Sequence, residues 1–225
     1  MNRLLMCLAA LLVVAGCSSS GGSADDAARN TAPPGTVTPY ASTEPPRPPK
    51  QVAKDNKAVA AAALPTSVPG YAPAPPKEAS LKLCPTLVKT VPGSLVQAFN
   101  VWRGTGANAG RTLAVTVVYD PENAPADGML ATLLPPDCAA EADGTHYVYD
   151  RQPQERSDGW EGVLNTILAT NTQTGAHSYE TAYLMSKDDA LVNVVASRAN
   201  RDTFDPSVDQ VAADTLETVL ARFAI

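Results

Sequence analysis

The chain has 225 residues, 44% of them hydrophobic and 18% charged, and 17 basic against 23 acidic side chains give a net charge of −6. An acidic chain without a basic stripe argues against a nucleic-acid partner. Four cysteines and two histidines leave little material for a metal centre or a cysteine-rich scaffold.

Met1, Asn2 and Arg3 form a short basic start, and Leu4 to Val14 follow without a charge. Ala15 and Gly16 lead to Cys17, and polarity returns at Ser18-Ser19-Ser20. Basic start, apolar segment and small exit residues are the layout of a secretory signal peptide over residues 1–16. A membrane-spanning helix needs about 20 apolar residues, so the segment reads as a signal rather than a span. Val14-Ala15-Gly16-Cys17 resembles the lipobox of bacterial lipoproteins. The resemblance implies cleavage after Gly16, fatty-acyl chains of the palmitate type on Cys17, and a protein anchored on the extracytoplasmic face of the cell membrane. At ~0.8 kcal/mol per buried methylene, two or three acyl chains anchor stably where one is marginal. Cys7 is the weaker candidate, because bulky Met6 precedes it.

Residues 17–80 read as a disordered, proline-rich tether. Twelve of the 20 prolines fall between Ser18 and Ser80, and Ser, Gly, Thr and Ala fill most of the remainder. Such a segment lacks the bulky apolar surface that offsets ordering entropy. Only Lys57 to Leu64 suggests a helix, a fleeting one stopped by Pro65 and too short to stand alone.

Residues 81–225 then form the expected globular domain, with ten Lys and Arg against eighteen Asp and Glu, a charge of −8. Lys82 to Pro92 reads as an irregular entry. Residues 95–103 and 111–119 predict a hairpin: Leu113, Val115, Val117 and Tyr119 alternate with smaller, more polar residues. Its connection, Gly104 to Gly110, is glycine-rich but leads into a strand and lacks a lysine, so it is turn chemistry rather than a phosphate cradle. Asp127 to Leu134 suggests a short helix, and His146 to Tyr149 a strand. Trp160 to Thr172 balances between helix and strand, with strand slightly favoured by its β-branched content. Residues 176–186 and 190–199 predict two more strands. Asp205 as cap, Pro206 at the first helical position and the apolar series Val208, Val211, Ala212, Leu216, Val219, Leu220 and Phe223 predict an amphipathic helix over 206–224. The expected class is α+β, a mostly antiparallel sheet packed by that helix.

Cys84 and Cys138 remain once Cys7 leaves with the signal and Cys17 is acylated. In an exported protein they are expected to form a disulfide, closing a loop worth ~4 kcal/mol; in a reducing compartment they stay free thiols. His146 and His177 have no zinc spacing, and no serine-nucleophile elbow or lactamase-type motif is present, so no catalytic residue, metal or cofactor is assigned. Asp143, Asp150, Asp158 and Glu161 flank aromatic residues and offer an alternative, an envelope hydrolase using paired carboxylates. Tyr147, Tyr149, Trp160, Tyr179 and Tyr183 are the candidates for lining a ligand groove.

Leu133-Leu134-Pro135-Pro136-Asp137-Cys138, Tyr147-Val148-Tyr149 and the apolar run from Asp189 to Ala196 before the last helix resemble the extracytoplasmic sensor-type domains of actinobacterial lipoproteins and some mycobacterial receptor kinases. The resemblance implies a non-enzymatic module that binds a small molecule or an envelope protein, attached to the membrane by its lipid anchor.

Overall fold

The structure is a computed structural model and describes residues 48–75, 80–84, 87–90, 97–121 and 140–223, with the backbone alone for 80–84 and 87–90. Its first element is helix α1, Pro49–Ala63. Proline fits the first turn, where the missing N–H has no helical partner anyway. The helix ends where Leu64, directly before Pro65, turns extended at φ −67° and ψ 142°, the conformation a residue ahead of proline prefers. Strands follow as β1 (Tyr71–Ala74), β2 (Ser80–Cys84), β3 (Leu87–Thr90), β4 (Gln97–Gly104), β5 (Arg111–Tyr119), β6 (Glu141–Ala142), β7 (Thr145–Glu155), β8 (Glu161–Asn171), β9 (His177–Lys187) and β10 (Ala190–Ala199). Helix α2, Pro206–Leu220, closes the series.

Helix α1 and β1 correct the expected tether. The helix begins eight residues before Lys57 and packs against β4 and β5, and Ala60, Ala63, Leu64 and Val68 are buried in the main core. Among the described residues, folded structure therefore reaches back to residue 49, ahead of the boundary expected at 81. Alanine is the physical reason: its small side chain lets the helix approach the sheet closely, and tertiary burial supplies the stability that a helix of this length lacks alone. Residues 80–90 also differ from the irregular entry expected there, forming an antiparallel two-stranded ribbon of β2 and β3.

The remaining strands make one eight-stranded sheet in the order β1-β4-β5-β10-β9-β8-β7-β6, antiparallel at every pair. Strands β7 to β10 form a meander, and β10 returns to pair with β5 of the β4–β5 hairpin. The hairpin loop carries a short 3-10 turn at Gly106–Asn108. Gly104 is required there, since a Cβ at that position would lie 1.9 Å from the Asn108 carbonyl oxygen. Residues 161–171, balanced between helix and strand in sequence, are strand.

Trp102, Leu113, Ala196 and Thr181 lie side by side across β4, β5, β10 and β9. With Val115, Val117, Val192 and Val194 they place one face of the sheet against the residues of both helices. Val208, Ala212, Leu216, Val219 and Leu220 share a buried cluster with these strand residues and with Ala60 and Ala63 of α1. Val118, Leu191, Leu184 and Ile167 point to the other face and are also buried, and β2 approaches β9 and β10. The described fold is thus a mostly antiparallel sheet with two helices, one of them C-terminal, and the sheet dominates. The expected helix over 127–134 and Cys138 lie outside the described residues, as does the side chain of Cys84, so the expected disulfide does too.

Candidate functional site

Two anchors fix the start of α2. Asp205 caps the helix by accepting from the Ser207 backbone N–H at 3.1 Å, and Arg198 donates to the same carboxylate at 2.7 Å. Burial works to raise the Asp205 carboxyl, but the bonds from Ser207 and Arg198 outweigh it and hold the group down at about 2. The far end of α1 is fixed from α2's own exit: the Arg222 guanidinium donates to the carbonyls of Ala62 at 3.3 Å, Ala63 at 3.4 Å and, more closely, Leu64. These anchors set the connector between α1 and β1 opposite the flank of α2.

A cleft of about 360 Å³ lies between them, near the lower end of the range for small-molecule sites. Pro65, Val68, Pro69 and Val211 give it apolar walls, and Arg111, Tyr71, Asn108 and Ser207 gather at one end. Gln210, Asp214 and Thr218 follow along the helix toward the other end. Arg111 opens β5 and shares the face of Leu113, Val115 and Val117, so its charge is directed to the helix side of the sheet. It donates to Asn108 Oδ1 at 2.6 Å and to Ser207 Oγ at 2.7 Å. Both acceptors are neutral. Arg111 Nε and the Tyr71 hydroxyl are buried without a well-formed hydrogen bond among the described residues, although the Arg111 side chain is a close polar neighbour of the hydroxyl. Burial pushes the Tyr71 hydroxyl above its ordinary value, with the neighbouring Arg111 pulling in the opposite direction.

The five aromatic candidates do not converge. Register places Tyr149 beside Ile167 and Glu180, one residue out of phase with Tyr179, so Tyr147 and Tyr149 face away from Tyr179 and Tyr183. Trp160 is 3% exposed and meets the Phe223 ring edge-on at 5.7 Å. Tyr179 is 1% exposed; its hydroxyl donates to Asp209 at 2.7 Å, and burial pushes that hydroxyl well above its usual value. Tyr183 packs on the same core. Tyr147 alone lines a described cleft, a second one on the opposite face with Ile167, Ala169, Ser178 and Glu180.

The four carboxylates are spread out. Asp143 and Glu161 flank opposite ends of β7, whose eleven residues span ~35 Å at the usual rise. Asp150 accepts from Gln152 at 2.6 Å on the face opposite Glu161, and Asp158 pairs with Arg156 at 3.2 Å. His146 and His177 fall in one cross-strand row, with Thr170 between them and bonded to His177 at 3.1 Å. Among the described residues no group of three His, Cys, Asp or Glu side chains is placed to hold a metal ion.

Sequence reading missed the cleft because its lining comes from residues 65–71, 108–111 and 207–218, which only the fold brings together. One signal was available: Arg111 occupies an inward-facing position of an otherwise apolar alternation. Compared with known proteins, the sequence matches no protein-family model and is similar to no curated protein.

Proposed function

We propose that the chain is an exported, lipid-anchored envelope protein whose folded region is a non-enzymatic, sensor-type module binding a small ligand. The signal-like residues 1–16 and the lipobox-like Val14 to Cys17 support export and acylation. Among the described residues no helix is long and apolar enough to cross a membrane; in this reading attachment is through Cys17. The observation that carries the binding reading is the cleft between the Pro65–Tyr71 connector and α2, with apolar walls and polar groups collected at one end. In this reading the amphipathic C-terminal helix does two things: its buried side covers the sheet and its flank forms one wall of the site.

Two measurements test the reading. Cys17→Ala should release the protein from the membrane fraction; unchanged fractionation removes the anchor. A fragment screen by ligand-detected NMR on the full chain should find compounds displaced by Gln210→Trp, which plugs the cleft from an exposed position without disturbing the core. Hits indifferent to that substitution, or no hits, would remove the binding reading.

A further inference from the structure

Three arginines surround the start of α2, and a single carboxylate serves two of them. Asp205 lies 2.7 Å from Arg198 and 3.7 Å from Arg201. Arg111 sits directly across the strands from Arg198 and forms no ion pair among the described residues. Like charges opposite one another in a sheet repel; the carboxylates of this corner, Asp205 and Asp209, are engaged by Arg198, Ser207, Tyr179 and Thr181, which leaves Arg111 with neutral hydrogen-bond partners only. The α2 N-terminus adds the positive end of its dipole. Beneath it, Arg111 Nε and the Tyr71 hydroxyl are buried without a well-formed hydrogen bond among the described residues.

The apolar walls of the cleft have the opposite character. Val68, Pro65, Pro69 and Val211 offer no polar side-chain atom. Asp214 lies seven residues along α2 from Ser207, ~10 Å at the helical rise, and accepts from Gln210 at 2.7 Å. A second anionic group would meet this carboxylate and be repelled. We infer that the cleft takes a monoanionic ligand with an apolar body, its carboxylate- or phosphate-type head against Arg111 and its body between Val68, Pro69 and Val211. The inference rests on the binding reading above and specifies its chemistry. Arg111 is the group that fixes ligand orientation, because a planar guanidinium pairs with a carboxylate or phosphate in a defined geometry.

The test uses the full chain in phosphatidylcholine nanodiscs and three soluble probes: 4-phenylbutyrate, its uncharged amide, and inorganic phosphate. By NMR titration at Val68 and Val211, the carboxylate should bind at least about tenfold more tightly than the amide. It should also bind more tightly than phosphate, which has the charge without the apolar body. This comparison needs no substitution, so folding defects cannot obscure it. Arg111→Gln should then equalise carboxylate and amide, while Arg111→Lys should keep part of the difference. Equal binding of carboxylate and amide by the wild-type chain would overturn anion recognition and leave the cleft a binding site. Tighter binding of phosphate would overturn the apolar body. No response at Val68 or Val211 to any probe, together with a fragment screen without cleft-directed hits, would remove the binding reading itself.

Discussion

Arg222, just beyond α2, binds the end of α1, and its removal should be costly in a calculable way. The last four carbonyls of an α-helix lack helical partners. At the end of α1 the Arg222 guanidinium serves those of Ala62 and Ala63, and that of Leu64 beyond them. One nitrogen shared by three acceptors counts as roughly one good charge-assisted bond, worth about 1.5–3 kcal/mol. A cation at a helix C-terminus adds about 0.3–1 kcal/mol, and the half-buried setting of Arg222 lets solvent screen part of both. Arg222→Met, which keeps the apolar stem, should therefore destabilise by about 2 kcal/mol. In a domain of this size that lowers Tm by about 4–8 °C. Urea denaturation of the full chain measures the first quantity and a thermal scan the second. Amide exchange should accelerate most in the last turn of α1, and Arg222→Lys should recover part of the loss. A change below about 0.5 kcal/mol for Arg222→Met, with α1 exchange unaltered, would refute the clamp.

Asp205 gives a pH-dependent test. Its side chain is 5% exposed and its carboxyl is held at about 2, below the ~3.9 of an unfolded chain. The stabilisation is complete above pH ~4 and is lost as pH falls toward 2, so wild type and Asp205→Asn should differ by about 2 kcal/mol at pH 7 and converge near pH 2. A gap that persists undiminished at pH 2.5 would contradict the assignment. Gly162→Ala places a Cβ 2.0 Å from the Leu184 carbonyl oxygen and should cost about 1–3 kcal/mol by overpacking, measured by urea titration. Tyr179→Phe deletes the 2.7 Å bond to Asp209 at about 1–2 kcal/mol; a neutral result would mean that the Thr181 hydroxyl, which donates to the same carboxylate oxygen, compensates for the loss.

The sheet was the legible part of the sequence, and the reason is visible in particular strands. In β5 the series Leu113, Val115, Val117 kept a period of two, and the apolar run Ala190 to Ala196 fits a strand buried on both faces. Asp205-Pro206 announced α2 because capping chemistry is local. Of helix α1 only the stretch from Lys57 was legible, and as a fleeting helix, because its buried side is Asn56, Ala60 and Ala63, so the composition that lets it pack tightly is the composition of a linker. The aromatic candidates misled for a different reason. Tyr149 and Tyr179 are close in register but out of phase by one residue, and pairing, which determines that phase, is a property of the sheet and not of either segment. The cleft depends on three segments separated by up to 150 residues, beyond the reach of any local pattern.

The clamp at Arg222 also has a consequence in time. Helix α1 is secured by β4, β5 and a residue 160 positions downstream, and a helix of its length is marginal in isolation. A chain that leaves its ribosome or a secretion channel amino end first carries this segment without the sheet until β5 has emerged, and without its clamp until Arg222 follows. Docking of α1 is thus completed only when α2 and Arg222 are in place, and loss of Arg222 would be felt 160 residues away.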